Sequence, residues 1–211
     1  MKSRQVIEKK GNQIKAHNNT VFSQRLRLVS RHEFETLAKQ HHSGRSFRTA
    51  SRWSQFVTLS LTQLTGRDSL RDIVENMSAQ AHRLYHLGSA QLSRSNLSRM
   101  NEDKPYALYE ALFGRLLARC QSKAPNHAFR FKNPLYSLDA STTDLCLSVS
   151  PWAQFRSTKG AVKLHVGLNH NGYLPEFVTI TDGKDADITV GRTLSFPKGS
   201  IVAVDKGLQR L

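Results

Sequence analysis

The feature that most restricts how this chain can fold is a change of period. From Val21 to about Gln121 apolar residues recur at three- and four-residue intervals. From Leu135 onward they recur at every second residue. The first spacing puts side chains on one face of a helix and the second puts them on one face of a strand. A helical run followed by a strand run gives an α+β fold. In the first run, Ser30-x-x-Glu33 is a capping box ahead of Phe34, Leu37 and Ala38. Trp53, Phe56, Val57, Ser60, Leu61 and Leu64 form a stripe that Gly66 ends. Asp68 is placed to cap the next helix, with Leu70, Ile73, Val74 and Met77 on its inner face. Residues 106–120 read as a helix with Tyr109, Leu112, Phe113, Leu116, Leu117 and Cys120 in one stripe.

These patterns divide the chain into four parts: a flexible basic arm over 1–20, a helical domain over 21–121, a polar Pro-containing linker over 122–134, and a strand-rich domain over 135–211. In the last part, strands are expected at 135–141, at about 161–169 and at about 174–181, the last with Val178 and Ile180 inward. Asn171-Gly172 is a hairpin turn signal. Asp185 can cap a helix over 186–194. Ile201–Val204 is apolar throughout, as in a central strand covered on both faces. Three meandering strands, a helix and a parallel strand beside the first is the order of a ribonuclease-H-like core.

Charge narrows the function. The chain has 31 Lys+Arg against 16 Asp+Glu, a formal net charge of +15. Residues 1–134 hold 23 of the basic and 9 of the acidic groups, so the positive field belongs to the helical part. A polyanion is the natural partner, and double-stranded DNA the usual one. No strongly basic amphipathic helix points to a membrane surface. Cys120 and Cys146 lack metal-site or disulfide spacing and read as small apolar core residues. The polar first residues do not read as a signal peptide, so a cytoplasmic protein is expected.

Within the basic part, Ser93 to Asn101 (SRSNLSRMN) reads as a short helix capped by Ser93 or Ser95. Only Leu97 and Met100 are apolar, leaving Arg94 and Arg99 on a polar face. Such a helix suits reading a DNA groove, and equally a solvated surface. Arg67 and Arg71 are candidate phosphate contacts or plain helix-end charges.

Asp139 lies in the middle of the expected strand 135–141, on the face shared by Leu135, Ser137 and Ser141. A carboxylate in a buried strand needs a cationic partner. Asp205 follows the strand 201–204, which the expected topology places beside the first. Two carboxylates on neighbouring strands suit a divalent metal, Mg²⁺ or Mn²⁺, of the kind used in phosphodiester chemistry.

The string LDASTTDLCLSVSPWAQFRSTKGAVKLHVGLNHNGYLPEFVTITDGKDAD, with VAVDKG after it, resembles bacterial insertion-sequence transposases of the DDE type, the group named after insertion sequence four. The helical segments HNNTVFSQRL, RHEFETLAKQHH, SRWSQFVTLSLTQLTGRDSLRDIVENM, LYHLGSAQLSRSNLSRMN and YALYEALFGRLLARC resemble the helical domain ahead of the catalytic core in that group. The resemblance implies an all-helical DNA-binding domain before a partial ribonuclease-H-like α/β core. It implies binding of terminal inverted repeats and target DNA, with metal-dependent strand cleavage and transfer. Asp139 matches the first catalytic Asp and Asp205 the second. Arg156 and Lys159 fall in a basic stretch expected to meet phosphates. Asp144 is assigned to the loop. Asp187 matches an Asp of the family, but Ala186 stands where the family usually has His, so no role passes to it.

The family's third acidic residue, a Glu, lies well beyond the second Asp, whereas this sequence runs only to Leu211. A copy truncated after the second Asp and inactive alone is therefore expected. The alternative reading is a non-catalytic DNA-binding relic that forms a homodimer or pairs with full-length copies.

Overall fold

The computed structural model describes residues 20–67, 69–145, 154–156, 159–183, 190–191 and 193–204. All of the expected arm but Thr20, most of the expected helix 186–194, and Asp205 lie outside these. The chain divides into two compact units, residues 1–112 and 113–211.

The first unit is helical: α1 (Val21–Leu26), α2 (Arg31–Gln40), α3 (Arg52–Thr65), α4 (Leu70–Ala79), α5 (Ala81–Leu84) with a 3₁₀ turn over Tyr85–Leu87, α6 (Arg94–Asp103), and the start of α7 (Ala107–Gln121). Five of these helices begin at a hydroxyl cap. Thr20, Ser30, Ser51, Ser69 and Ser93 each accept the backbone N–H three residues on. The cap of α4 is thus Ser69, whose Oγ accepts from Asp72 N at 3.1 Å, in place of the expected Asp68. Gly66 ends α3 at φ 61°, ψ 44°, as its position after the stripe predicts.

Two apolar clusters hold these helices. Phe34, Trp53 and Phe56 join α2 to α3, with ring centroids 5.0–5.6 Å apart. Ile73, Met77, Leu84, Leu92, Leu97 and Met100 join α4, α5 and α6. The inner face of α3 keeps Trp53 and Val57 of the expected stripe and extends past it. Ser54, Gln55, Thr58 and Thr62 are buried, and Leu64 is 53% exposed. The polar residues can go inward because their hydrogen bonds are made. Thr58 and Thr62 donate back to the carbonyls of Ser54 and Thr58 at 2.8 and 2.7 Å. Ser54 Oγ also accepts Ala90 N at 2.9 Å, and its small size lets that segment come close. Cys120 is exposed, against the core position expected for it. Only Leu108 and Leu112 of α7 are buried, so the apolar stripe is packed along its first half alone. Cys146 lies outside the described residues.

In the second unit the strands are β1 (Leu135–Leu145), β2 (Gln154–Arg156), β3 (Lys159–Asn169), β4 (Leu174–Asp182) and β5 (Ile201–Val204). They form one sheet. β3 pairs antiparallel with β1, with β4 and with the short β2, and β5 pairs parallel with β1. The expected meander and the parallel return beside the first strand are both present. β2 was not foreseen, and β1 runs four residues past the expected end. The turn between β3 and β4 falls at Asn171-Gly172 but is wider than a two-residue hairpin. Asn169 pairs with Leu174, and both Gly172 and Tyr173 take positive φ, 73° and 54°.

Register assigns the two faces. One carries Tyr136, Leu138, His165, Gly167 and Phe177, and is covered by the segment that includes Val190, Leu194 and Phe196. On it His165 is 5% exposed, and its Nε2 lies 2.8 Å from Thr181 Oγ1. The other face carries Asp139, Val166, Val178, Leu164 and Ile180. Val178 and Ile180 were expected inward; they are 45% and 61% exposed. β5 was expected to be covered on both faces, yet it alternates, with Ile201 and Ala203 exposed and Val202 and Val204 half-buried. The physical reason is the same in both strands. Among the described residues one layer covers the sheet, on the face opposite these side chains.

Candidate nucleic-acid interface and carboxylate site

α6 is built so that one side is fixed and the other is free. Leu97 and Met100 are 0% and 1% exposed and seat the helix in the second cluster. Gln55, itself buried, donates from Nε2 to Asn101 Oδ1 at 2.7 Å and ties the helix to α3. That leaves Arg94, Ser95, Ser98, Arg99 and Glu102 exposed, a surface that recurs at helical spacing.

A hollow lies on each side of this surface. One is lined by Ser69, Leu70, Arg71, Arg94, Ser95 and Ser98, so two arginines singled out from sequence, on α4 and α6, meet in one place. The other is formed by the segment Gly44–Thr49 against Asn96, Arg99, Asp103 and Lys104. Arg45 and Arg48 are exposed there, and among the described residues neither guanidinium has an ion-pair or hydrogen-bond partner. Arg99 donates to Asn96 Oδ1 at 2.9 Å, which holds its guanidinium against the helix. Arg67 stands apart from the other candidates. Its Nη1 is bound to Asp72 at 3.0 and 3.2 Å, a clasp over the start of α4 that lowers its availability to a phosphate.

Sequence reasoning missed Arg45, Arg48 and Lys104. The signal was the eleven-residue gap HHSGRSFRTAS between two well-capped helices, carrying two arginines, a glycine and one phenylalanine. No periodicity marks such a segment. Its geometry depends on Lys104, whose Nζ donates to Ser43 O and Arg45 O at 2.6 and 2.8 Å.

In the second unit, Asp139 sits in β1 opposite Val166 of β3. It was expected to be buried and in need of a cation; it is exposed, and water solvates it. Among the described residues it has no hydrogen-bond or ion-pair partner. The β1–β5 register runs from Leu135↔Ile201 to Leu138↔Val204. It stops at the residue before Asp139 on one strand and the residue before Asp205 on the other. A free, exposed carboxylate is a hard oxygen donor suited to Mg²⁺ or Mn²⁺. No three His, Cys, Asp or Glu side chains gather into a metal site among the described residues, and Asp205 lies outside them. Arg156 of β2 and Lys159 of β3 are paired in register, with their side chains outside the described set.

No helix of the described residues is long and apolar enough to cross a membrane. No solved structure matches the chain. Residues 17–90 match a family described as a domain of unknown function, DUF4372. That stretch takes in α1 to α5 and the loop bearing Arg45 and Arg48. A protein of Geobacillus stearothermophilus, named as a probable transposase for insertion sequence element IS5377, is 28% identical over 108 residues. The match covers 51% of this chain and 28% of that protein, so the chain spans a little over a quarter of its curated relative.

Proposed function

We propose that this chain is an insertion-sequence transposase polypeptide of the DDE type, in the group named after insertion sequence four. A distant relative named as a transposase supports a transposase role. In this reading the helical unit binds terminal inverted repeats, with α6 against the duplex and Arg71, Arg94 and Arg99 on phosphates or bases. The sheet unit belongs to a ribonuclease-H-like core that presents Asp139 and Asp205. The observation that carries the reading is the parallel β1–β5 register, which brings two strands side by side with one Asp immediately beyond the last pair on each.

When bound, a divalent metal would supply an activated oxygen nucleophile and stabilise the leaving oxygen. The part of this chain is to offer carboxylate oxygens at the strand ends and to hold DNA through its basic helical unit. Arg156 and Lys159, beside the sheet, would neutralise phosphates. Target DNA and a second copy of the chain are the partners this reading implies.

The alternative reading is a chain that binds DNA without cutting it. Chemistry of this kind depends on the placement of the attacking oxygen, and a shift of about 1 Å costs on the order of 10²-fold. In the binding-only form, Asp139 and Asp205 bind a metal weakly and leave DNA uncut. The test is an end-labelled duplex bearing the terminal repeat of the element that encodes the chain, incubated with the purified protein and Mn²⁺. Retention without nicking supports the binding-only form. Nicking that is lost in Asp139→Ala and in Asp205→Ala establishes the catalytic form. Nicking that survives both substitutions contradicts the assignment of either carboxylate.

A further inference from the structure

The segment between α2 and α3 has no helix or strand of its own, yet it is tied down at a distance. Lys104, just past the end of α6, reaches back to two of its carbonyls, Ser43 O and Arg45 O. The same Nζ sits 5.2 Å from the centroid of the Phe47 ring. Phe47 packs in turn on the cluster that contains Leu97 and Met100. Gly44, at φ 64°, makes the bend that aims both carbonyls at one ammonium group. The loop is therefore positioned by the same residues that seat α6, and its place relative to that helix is fixed.

What the loop presents is charge. Arg45 and Arg48 line one hollow beside α6, with Asp103 the single acidic residue among its walls. Arg71 and Arg94 line the hollow on the opposite side of the helix. The exposed face of α6 runs between the two pairs. A helix that enters the major groove has a phosphate strand on either side of it, and flanking cations meet both.

We infer that the loop over residues 41–49 is a second phosphate-binding element, in which Arg45 and Arg48 take the duplex strand across α6 from Arg71 and Arg94, and that Lys104 is its positioning residue. This rests on the reading of the helical unit as a duplex-DNA binder. The ligand is the backbone of double-stranded DNA, recognised by charge and spacing, so the loop adds affinity with no preference for base sequence.

The experiment uses the full chain and a random-sequence duplex, with binding followed by fluorescence anisotropy as salt is raised. Each phosphate contact contributes about 0.9 to the slope of log affinity against log salt. Arg45→Ala with Arg48→Ala is expected to make the slope shallower by about 2, and Arg48→Gln alone by about 1, at unchanged helical circular dichroism. Lys104→Met is expected to weaken binding in the wild-type background and to add little when Arg45 and Arg48 are already gone, because it acts through them. An unchanged slope in both arginine variants overturns the inference. A full additive loss from Lys104→Met overturns its positioning role. A wild-type chain that fails to bind the duplex overturns the underlying reading of the unit, a result distinct from either of these.

Discussion

Tyr109 shows how one side chain can link packing to pH. Its ring stacks on Phe56 with centroids 6.4 Å apart, and the Arg52 guanidinium lies 5.2 Å from its centroid. Its hydroxyl is buried and, among the described residues, has no hydrogen-bond partner. Burial pushes the phenol up from the ordinary 10.0 to about 12, against the smaller opposing pull of Arg52. The folded state therefore favours the protonated phenol. That contribution is complete below about pH 10 and is lost as pH rises toward about 12. Full loss amounts to about 3 kcal/mol at most. Thermal melts followed by far-UV circular dichroism should show the wild type losing stability faster than Tyr109→Phe across that window. Parallel pH curves for the two proteins would count against the burial. Arg52 itself is held by Gln55 Oε1 and Pro105 O, both at 2.8 Å, so the guanidinium is a structural tie between α3 and the start of α7.

At the scale of elements, β4 carries the next expectation. Val178 and Ile180 alternate with half-buried Phe177, Thr179 and Thr181, and the apolar pair faces outward with Val166 and Leu164 beside it. An exposed apolar sheet face favours self-association. Ile180→Lys should leave the melting temperature within about a degree or two, since surface changes fall within about 0.5 kcal/mol, and should reduce association seen by light scattering at high protein concentration. A marked loss of stability would mean that the face is covered. The same strand shows what the sequence could and could not disclose. Alternation located β4 and marked its two faces, while β5 was located by its unbroken apolar run. Which face would be covered depends on the segment around Val190 and Phe196, and nothing in the period of β4 encodes that. The order and direction of the strands were legible from the apolar runs and the turn at Asn171-Gly172. α6 was legible from Ser93, Leu97 and Met100, and Arg94 and Arg99 came with it. The loop over 41–49 was not, because its shape comes from Lys104, more than fifty residues away in the chain. Asp139 was found by its place in a strand, but its exposure reversed the argument from burial that first drew attention to it.

At the scale of the whole chain, the imbalance of charge sets the behaviour. With 31 basic and 16 acidic residues, most of the excess lies before Leu135, and the strand-bearing stretch 135–211 is close to neutral. An account in which the first recognises DNA and the second presents carboxylates to it follows from that separation. The measurement that tests it most directly is the affinity of the full chain for two duplexes, one with the terminal repeat of its own element and one of random sequence, as salt is raised. Binding to both at low salt is predicted, falling linearly on a log–log plot, tighter for the repeat, with Arg94→Ala plus Arg99→Ala costing more on the repeat than on the random duplex. No binding at low salt, or an affinity that stays flat as salt rises, would contradict the account.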